Sequence, residues 1–184
     1  MGASPSVSPS RPSQQGLVQV FTGDGRGKTS AALGTVLRAL GNGLRVYVVA
    51  FMKPAPSGEW HLLDRLENVT VERFGSQGFV DPEHLTAGDR EQAARAFAAA
   101  RQAVMSGNYN LVVLDEVNLA VAWGLVDRHD LLSLMREKPP GVELILTGRK
   151  ADKEIIRAAD LVTEMLNIKH PYGGGTPARR GIEY

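Results

Sequence analysis

The chain has 184 residues, 43% of them hydrophobic, with 21 Lys and Arg against 20 Asp and Glu for a formal net charge of +1, and it contains no cysteine. This composition excludes wholesale disorder, a disulfide scaffold, thiolate metal sites, iron–sulfur ligation and a cysteine nucleophile. The near-balance of charge argues against a protein that coats nucleic acid or an anionic membrane, so neither partner is expected.

Residues 1–15 are rich in Ser and Pro and lack a hydrophobic stretch, so they read as a disordered tail rather than a signal peptide, with one domain following over 16–184. Gly2 and Ser6 match the spacing of a myristoylation signal, a coincidence to be expected in a Ser-rich segment. Residues 17–22 form a short β-rich run. From Lys28 the period changes. Leu33, Val36, Leu37 and Leu40 fall at i, i+3, i+4, i+7 and predict a helix that Gly41-Asn42-Gly43 stops. Residues 44–52 are almost unbroken in apolarity, as in a strand buried on both faces of a parallel sheet. The run is far too short to span a bilayer.

A short helix is predicted over 62–66 and an alternating strand over 69–74. Gly75, Gly78, Pro82 and Gly88 break 75–88 into a loop or lid. Residues 89–105 are Ala-rich and helical. The apolar strand 111–114 closes on Asp115-Glu116. A helix around 130–137, a strand over 142–147, a helix over 151–159 and a last strand over 161–165 complete the order. Such alternation predicts an α/β fold, a single P-loop NTPase-like (RecA-like) domain with a mostly parallel sheet flanked by helices. Ligands of such sheets sit outside the carboxyl ends of the strands.

Two features fall at that edge. Gly23-Asp24-Gly25-Arg26-Gly27-Lys28-Thr29 joins the first strand to the first helix and ends as a phosphate loop does. Glycines let several N–H groups converge on one anion, the helix N-terminus adds partial positive charge, Lys28 brings a full charge, and Thr29 offers a hydroxyl to a metal ion. The usual pattern has Gly at position 22, where this chain has Thr22. The second feature is the acidic end of strand 111–114, the Walker-B arrangement in which a carboxylate helps hold Mg²⁺ near phosphates.

Together with Leu44-Arg45-Val46, Phe51-Met52-Lys53, Val113-Leu114-Asp115-Glu116, Leu146-Thr147-Gly148-Arg149, 159–165, Lys169-His170-Pro171-Tyr172 and Gly181-Ile182-Glu183-Tyr184, the loop 21–34 resembles the P-loop corrinoid adenosyltransferases of the cobalamin pathway. Thr22 is that family's own pattern. The resemblance implies that ATP is a co-substrate whose 5′-deoxyadenosyl group passes to the Co(I) of a reduced corrinoid, with triphosphate leaving. It implies a nucleotide lying reversed relative to other P-loop proteins. Gly23, Asp24, Gly25, Arg26, Gly27, Lys28, Thr29, Ser30, Arg149 and His170 would bind ATP. Lys28, Thr29 and Glu116 would be catalytic. Mg²⁺ (or Mn²⁺) would be held by Thr29 and Glu116, with Asp115 as second choice. Loop 75–88 would be the corrinoid side, with Phe79 in contact. Many relatives carry Trp where this chain has Asp81, so Trp60 or Trp123 would substitute, or the corrin's lower face is handled differently. A cytoplasmic homodimer served by a reductase completes the expectation.

Two other readings stay open on the residues alone. A conventional P-loop ATPase or phosphotransferase would cleave the β–γ bond with an activated water or acceptor. A regulatory nucleotide-binding module would bind without turnover.

Overall fold

The computed structural model describes residues 15–53, 58–76, 78, 80–171, 175 and 177–182. Residues 1–14 of the expected tail over 1–15, Phe79 and Tyr172 lie outside the described residues. Six parallel strands form one sheet: β1 (Val18–Thr22), β2 (Val46–Ala50), β3 (Val69–Arg73), β4 (Leu111–Asp115), β5 (Glu143–Thr147) and β6 (Leu161–Glu164), in the order β3-β2-β4-β5-β1-β6. The helices are α1 (Lys28–Gly41), α2 (Gly58–Leu63), α3 (Ala87–Met105), α4 (Val117–Ala122), α5 (Arg128–Glu137) and α6 (Lys153–Ala158). This is the expected RecA-like α/β architecture.

The strand sequences are apolar throughout because both faces are covered. On β4, Val112 and Leu114 point into the core beneath α3, α4, α5 and α6, while Leu111 and Val113 point into the core beneath α1 and α2. On β2, Tyr47 and Val49 take the first side and Val46, Val48 and Ala50 the second. α3 approaches the sheet through Ala93, Ala96, Ala100 and Ala103, all buried. Small side chains at this spacing let a long helix lie close to a flat surface of branched residues.

Three local expectations are corrected, and one helix is added. The buried face of α1 is Ala32, Val36 and Ala39, with Leu33 and Leu40 partly buried against the same core, and of the four expected residues Leu37 departs, at 51% exposed. Close packing on the sheet selects the small side chains, which leaves Leu37 on the outer face. α2 runs over Gly58–Leu63 rather than 62–66, because Trp60 and Leu63 are the residues that reach the core. α4 was not predicted. Its Val-Asn-Leu-Ala-Val-Ala run is too short and too uniformly apolar to show a helical period. β2 is shorter than 44–52, since Met52 turns into left-handed backbone at φ 56°.

α3 begins two residues earlier than expected, at a capping box. Thr86 accepts from the Asp89 N–H at 3.1 Å, and Asp89 accepts from the Thr86 N–H at 3.0 Å. The Thr86 hydroxyl, then Ser76 and the Thr86 amide, hold the Asp89 carboxyl below its ordinary range. A depressed carboxyl stabilises the fold above its unfolded value, and that contribution disappears as pH falls through its folded value. Thr86→Ala therefore lowers stability by about 1 kcal/mol at neutral pH. The gap from wild type narrows on acidification, which urea melts at several pH values will show.

Candidate active site

The carboxyl ends of β1, β2, β4 and β5 lie side by side at one edge of the sheet. The loop after β1 is held there by its glycines. Gly23 and Gly27 adopt φ 92° and 114°, which only glycine takes without strain. A Cβ on Gly23 would sit 2.4 Å from the Met165 carbonyl oxygen, and one on Gly25 would sit 2.6 Å from that of Leu166. The Gly25 N–H donates to the Met165 carbonyl at 2.6 Å. Much of the glycine density thus serves close packing against the segment that follows β6.

The loop ends in α1, whose first residue is Lys28. Its ammonium donates to the carbonyls of Gly23 at 2.8 Å and Gly25 at 2.6 Å. An ammonium has three hydrogens, so a third donor is left for an incoming anion. Burial, then the nearby Arg149 charge, lowers the Lys28 pKa, opposed by Glu116, Asp24 and Asp115.

Asp115 ends β4 and is almost wholly buried. Its Oδ1 accepts from the hydroxyls of Thr29 at 2.8 Å and Thr147 at 2.6 Å, and its Oδ2 accepts from Lys53 Nζ at 2.6 Å. Both oxygens are engaged. Glu116 differs. It takes left-handed backbone at φ 64°, its N–H donates to Thr147 Oγ1 at 2.9 Å, and its buried Oε2 has no hydrogen-bond partner among the described residues. Burial, then the Asp115 charge, raises its pKa, against the pull of Lys53 and Lys28. Left-handed backbone in a residue with a Cβ costs about 1–2 kcal/mol, and such strain clusters at functional sites.

These groups share an open cleft of about 1150 Å³. It is lined by Asp24, Gly25, Arg26, Gly27, Lys28, Thr29 and Ser30 from the loop, by Lys53 and Glu116, and by Arg149. His170, Asn167, Lys169, Gly181 and Ile182 close it from the C-terminal side. Arg149 lies 3.9 Å from Asp24, both exposed, while Arg26 bonds to the Ile182 carbonyl. Nearly every expected ATP-site residue is thereby brought to one place. Gly23 lies beneath the cleft, within reach of the Lys28 ammonium, and Asp115 lies behind Thr29. Trp60 is fully buried in the core beneath α1 and α2, so it has no face to offer a corrin ring; Trp123 is half-buried against the opposite core.

Two site residues carried no assigned role in the sequence. Lys53 belongs to a quoted motif, and its signal was a lone cation just beyond an apolar strand. Thr147 was legible only as part of Thr-Gly-Arg.

A parallel sheet whose first strand runs through a phosphate loop into a helix, with an acidic strand end across the same cleft, defines a P-loop nucleotide-binding protein. Sequence comparison narrows the class. The family described as ATP:corrinoid adenosyltransferase BtuR/CobO/CobP matches residues 14–184, and the chain belongs to it. It is 36% identical over 172 residues to the corrinoid adenosyltransferase of Pseudomonas aeruginosa, covering 93% of this chain and 85% of that protein. It is 33% identical over 174 residues to that of a Sinorhizobium species, with 93% and 81% covered. Identity to the Escherichia coli K12 corrinoid adenosyltransferase is 33% over 172 residues, with 93% and 87% covered.

Proposed function

We propose that this chain transfers the 5′-deoxyadenosyl group of ATP to the Co(I) of a reduced corrinoid and releases triphosphate. The observation that carries the reading is convergence. The phosphate loop, Glu116, Arg149, His170 and Gly181-Ile182 are spread over most of the chain, yet they wall one cleft.

The chemistry needs no protein nucleophile. The Co(I) electron pair forms the bond to C5′ of the ribose, the C5′–O bond breaks, and its pair stays on the triphosphate. The protein's task is to bind and orient ATP and to stabilise charge on the leaving group. Lys28 donates its third hydrogen to that group, joined by the loop N–H groups. Arg26 and Arg149 balance the outer phosphates, and His170 meets the ribose or base end.

The residues present fit a divalent cation. Glu116 offers a buried, unpartnered oxygen, and Thr29 gives its hydrogen to Asp115, which leaves its lone pairs toward the cleft. No group of three or more His, Asp or Glu among the described residues could hold a metal alone, so phosphate oxygens would complete the set. We assign Glu116 and Thr29 as ligands of Mg²⁺ or Mn²⁺, with Asp115 orienting Thr29. The ion, when bound, would neutralise charge on the departing triphosphate.

The reaction belongs in the cytoplasm, where ATP is made, and it requires a reductase to supply Co(I). No helix among the described residues is long and apolar enough to cross a membrane. We also propose a homodimer. Leu161, Val162 and Leu166 are exposed on and just beyond the edge strand β6, a surface that a second copy would cover. Phe79 is proposed as a corrinoid contact.

Anaerobic incubation with ATP, Mg²⁺ and chemically reduced cob(I)alamin tests the reading. The expected result is loss of the Co(I) absorption with one triphosphate formed per corrinoid alkylated. ADP and phosphate as products would overturn it.

A further inference from the structure

The floor of the cleft already holds a cation of the protein's own. Lys53 Nζ lies 2.6 Å from Asp115 Oδ2 and 4.0 Å from Glu116 Oε1. It is held there from several sides. Met52 turns the chain through left-handed backbone just before it. The Lys53 N–H donates to the Phe74 carbonyl at 3.0 Å, and the ammonium lies 6.0 Å from the centre of the buried Trp60 ring. Its side chain is 32% exposed, and it lines the cleft that Glu116 faces. Burial lowers its pKa, but the Asp115 charge, the hydrogen bond to Asp115 and the charges of Glu116 and Glu59 together outweigh that and raise it.

Asp115 and Glu116 are adjacent carboxylates at a strand end. Two such groups with no cation between them repel each other and attract a divalent ion from solution. Here the ammonium neutralises one of the two charges. A metal ion arriving alone meets Lys53 within a few ångströms of Glu116, in surroundings where charge repulsion is weakly screened. A metal ion arriving on a polyphosphate is different. The complex brings excess negative charge, which Lys53 and Lys28 then attract.

We propose that Lys53 is a placeholder cation for the Asp115–Glu116 pair, so that a divalent ion enters this cleft only together with a nucleotide polyphosphate. The inference rests on the proposed ATP site and adds an order of binding to it. Lys53 is thus a positioning residue, acting through the carboxylates. Its removal should expose a metal site that wild type conceals.

The test is Mn²⁺ binding to the full chain, read from the loss of the free-ion electron paramagnetic resonance signal. Without nucleotide, wild type should bind Mn²⁺ weakly, and ATP should bring the ion onto the protein. Lys53→Met should bind Mn²⁺ without nucleotide at least about ten-fold more tightly than wild type. Lys53→Arg should behave as wild type, since it keeps the charge. The double variant Lys53→Met with Glu116→Gln should lose the gain. Lys53→Gln serves if the Met variant does not fold, as judged by circular dichroism. Equal Mn²⁺ affinity of wild type and the neutral variants overturns the placeholder role and leaves the ATP site standing. Failure of Mn²⁺ and ATP together to bind wild type overturns the site itself.

Discussion

Replacing Lys28 with alanine should lower kcat/KM for adenosyl transfer by about 10²–10³-fold, the effect of removing one preorganised donor from a developing anion. The side chain is buried between its own loop carbonyls, at 2.8 and 2.6 Å, so its position is set before ATP arrives. A preset charge costs no reorganisation when the leaving group takes up its electrons. The loss should fall mainly on kcat, since the loop N–H groups, Arg26 and Arg149 remain to bind the ground state. Anaerobic steady-state assays over a range of ATP concentrations separate the two constants. Full activity in Lys28→Ala would remove the phosphate loop from the mechanism.

On the proposed metal assignment, Glu116→Gln should cost at least about 10²-fold in kcat, the upper end of what losing even a partner of a metal ligand costs. It should do so without lowering the melting temperature. The two outcomes have one cause. Glu116 Oε2 is buried with no hydrogen-bond partner among the described residues, and burial and the neighbouring Asp115 charge raise its pKa. A raised carboxyl pKa means that the ionised form is disfavoured in the fold, so a neutral amide relieves rather than adds to the penalty. A residue conserving function at the expense of stability is the pattern of an active site. Thermal melts beside anaerobic steady-state assays check both halves. A large fall in melting temperature would mark Glu116 as a structural residue instead.

The phosphate loop was legible in the sequence because it is local. Its glycines, Lys28 and Thr29 are contiguous, and they sit between a strand signal and a helix signal. Glu116 was legible for the same reason, as the residue just past an apolar strand. Lys53 was not. Its role depends on β2 lying beside β4, and no spacing within the chain states that. α4 was hidden too, because a helix of six residues, five of them apolar around a single Asn, has no period to detect. Its start is set instead by Glu116 turning left-handed under the hydrogen bond from its amide to Thr147.

The sequence by itself determined the alternation of strands and helices, the parallel sheet that such alternation requires, and the edge at which a ligand must bind. Those properties follow from short-range periodicity and chain breaks. The glycines of the phosphate loop were likewise visible, but their packing role was not. Only the tertiary structure decided that Gly23 and Gly25 are there because the chain after β6 passes within 2.4–2.6 Å of where a Cβ would be. It alone decided which of the two carboxylates keeps an oxygen without a hydrogen bond. Asp115 is satisfied by partners 32, 62 and 86 residues away, and Glu116 beside it keeps an oxygen without a partner among the described residues. Hydrogen-bond satisfaction is a property of neighbours in space, and neighbours in the chain do not specify it.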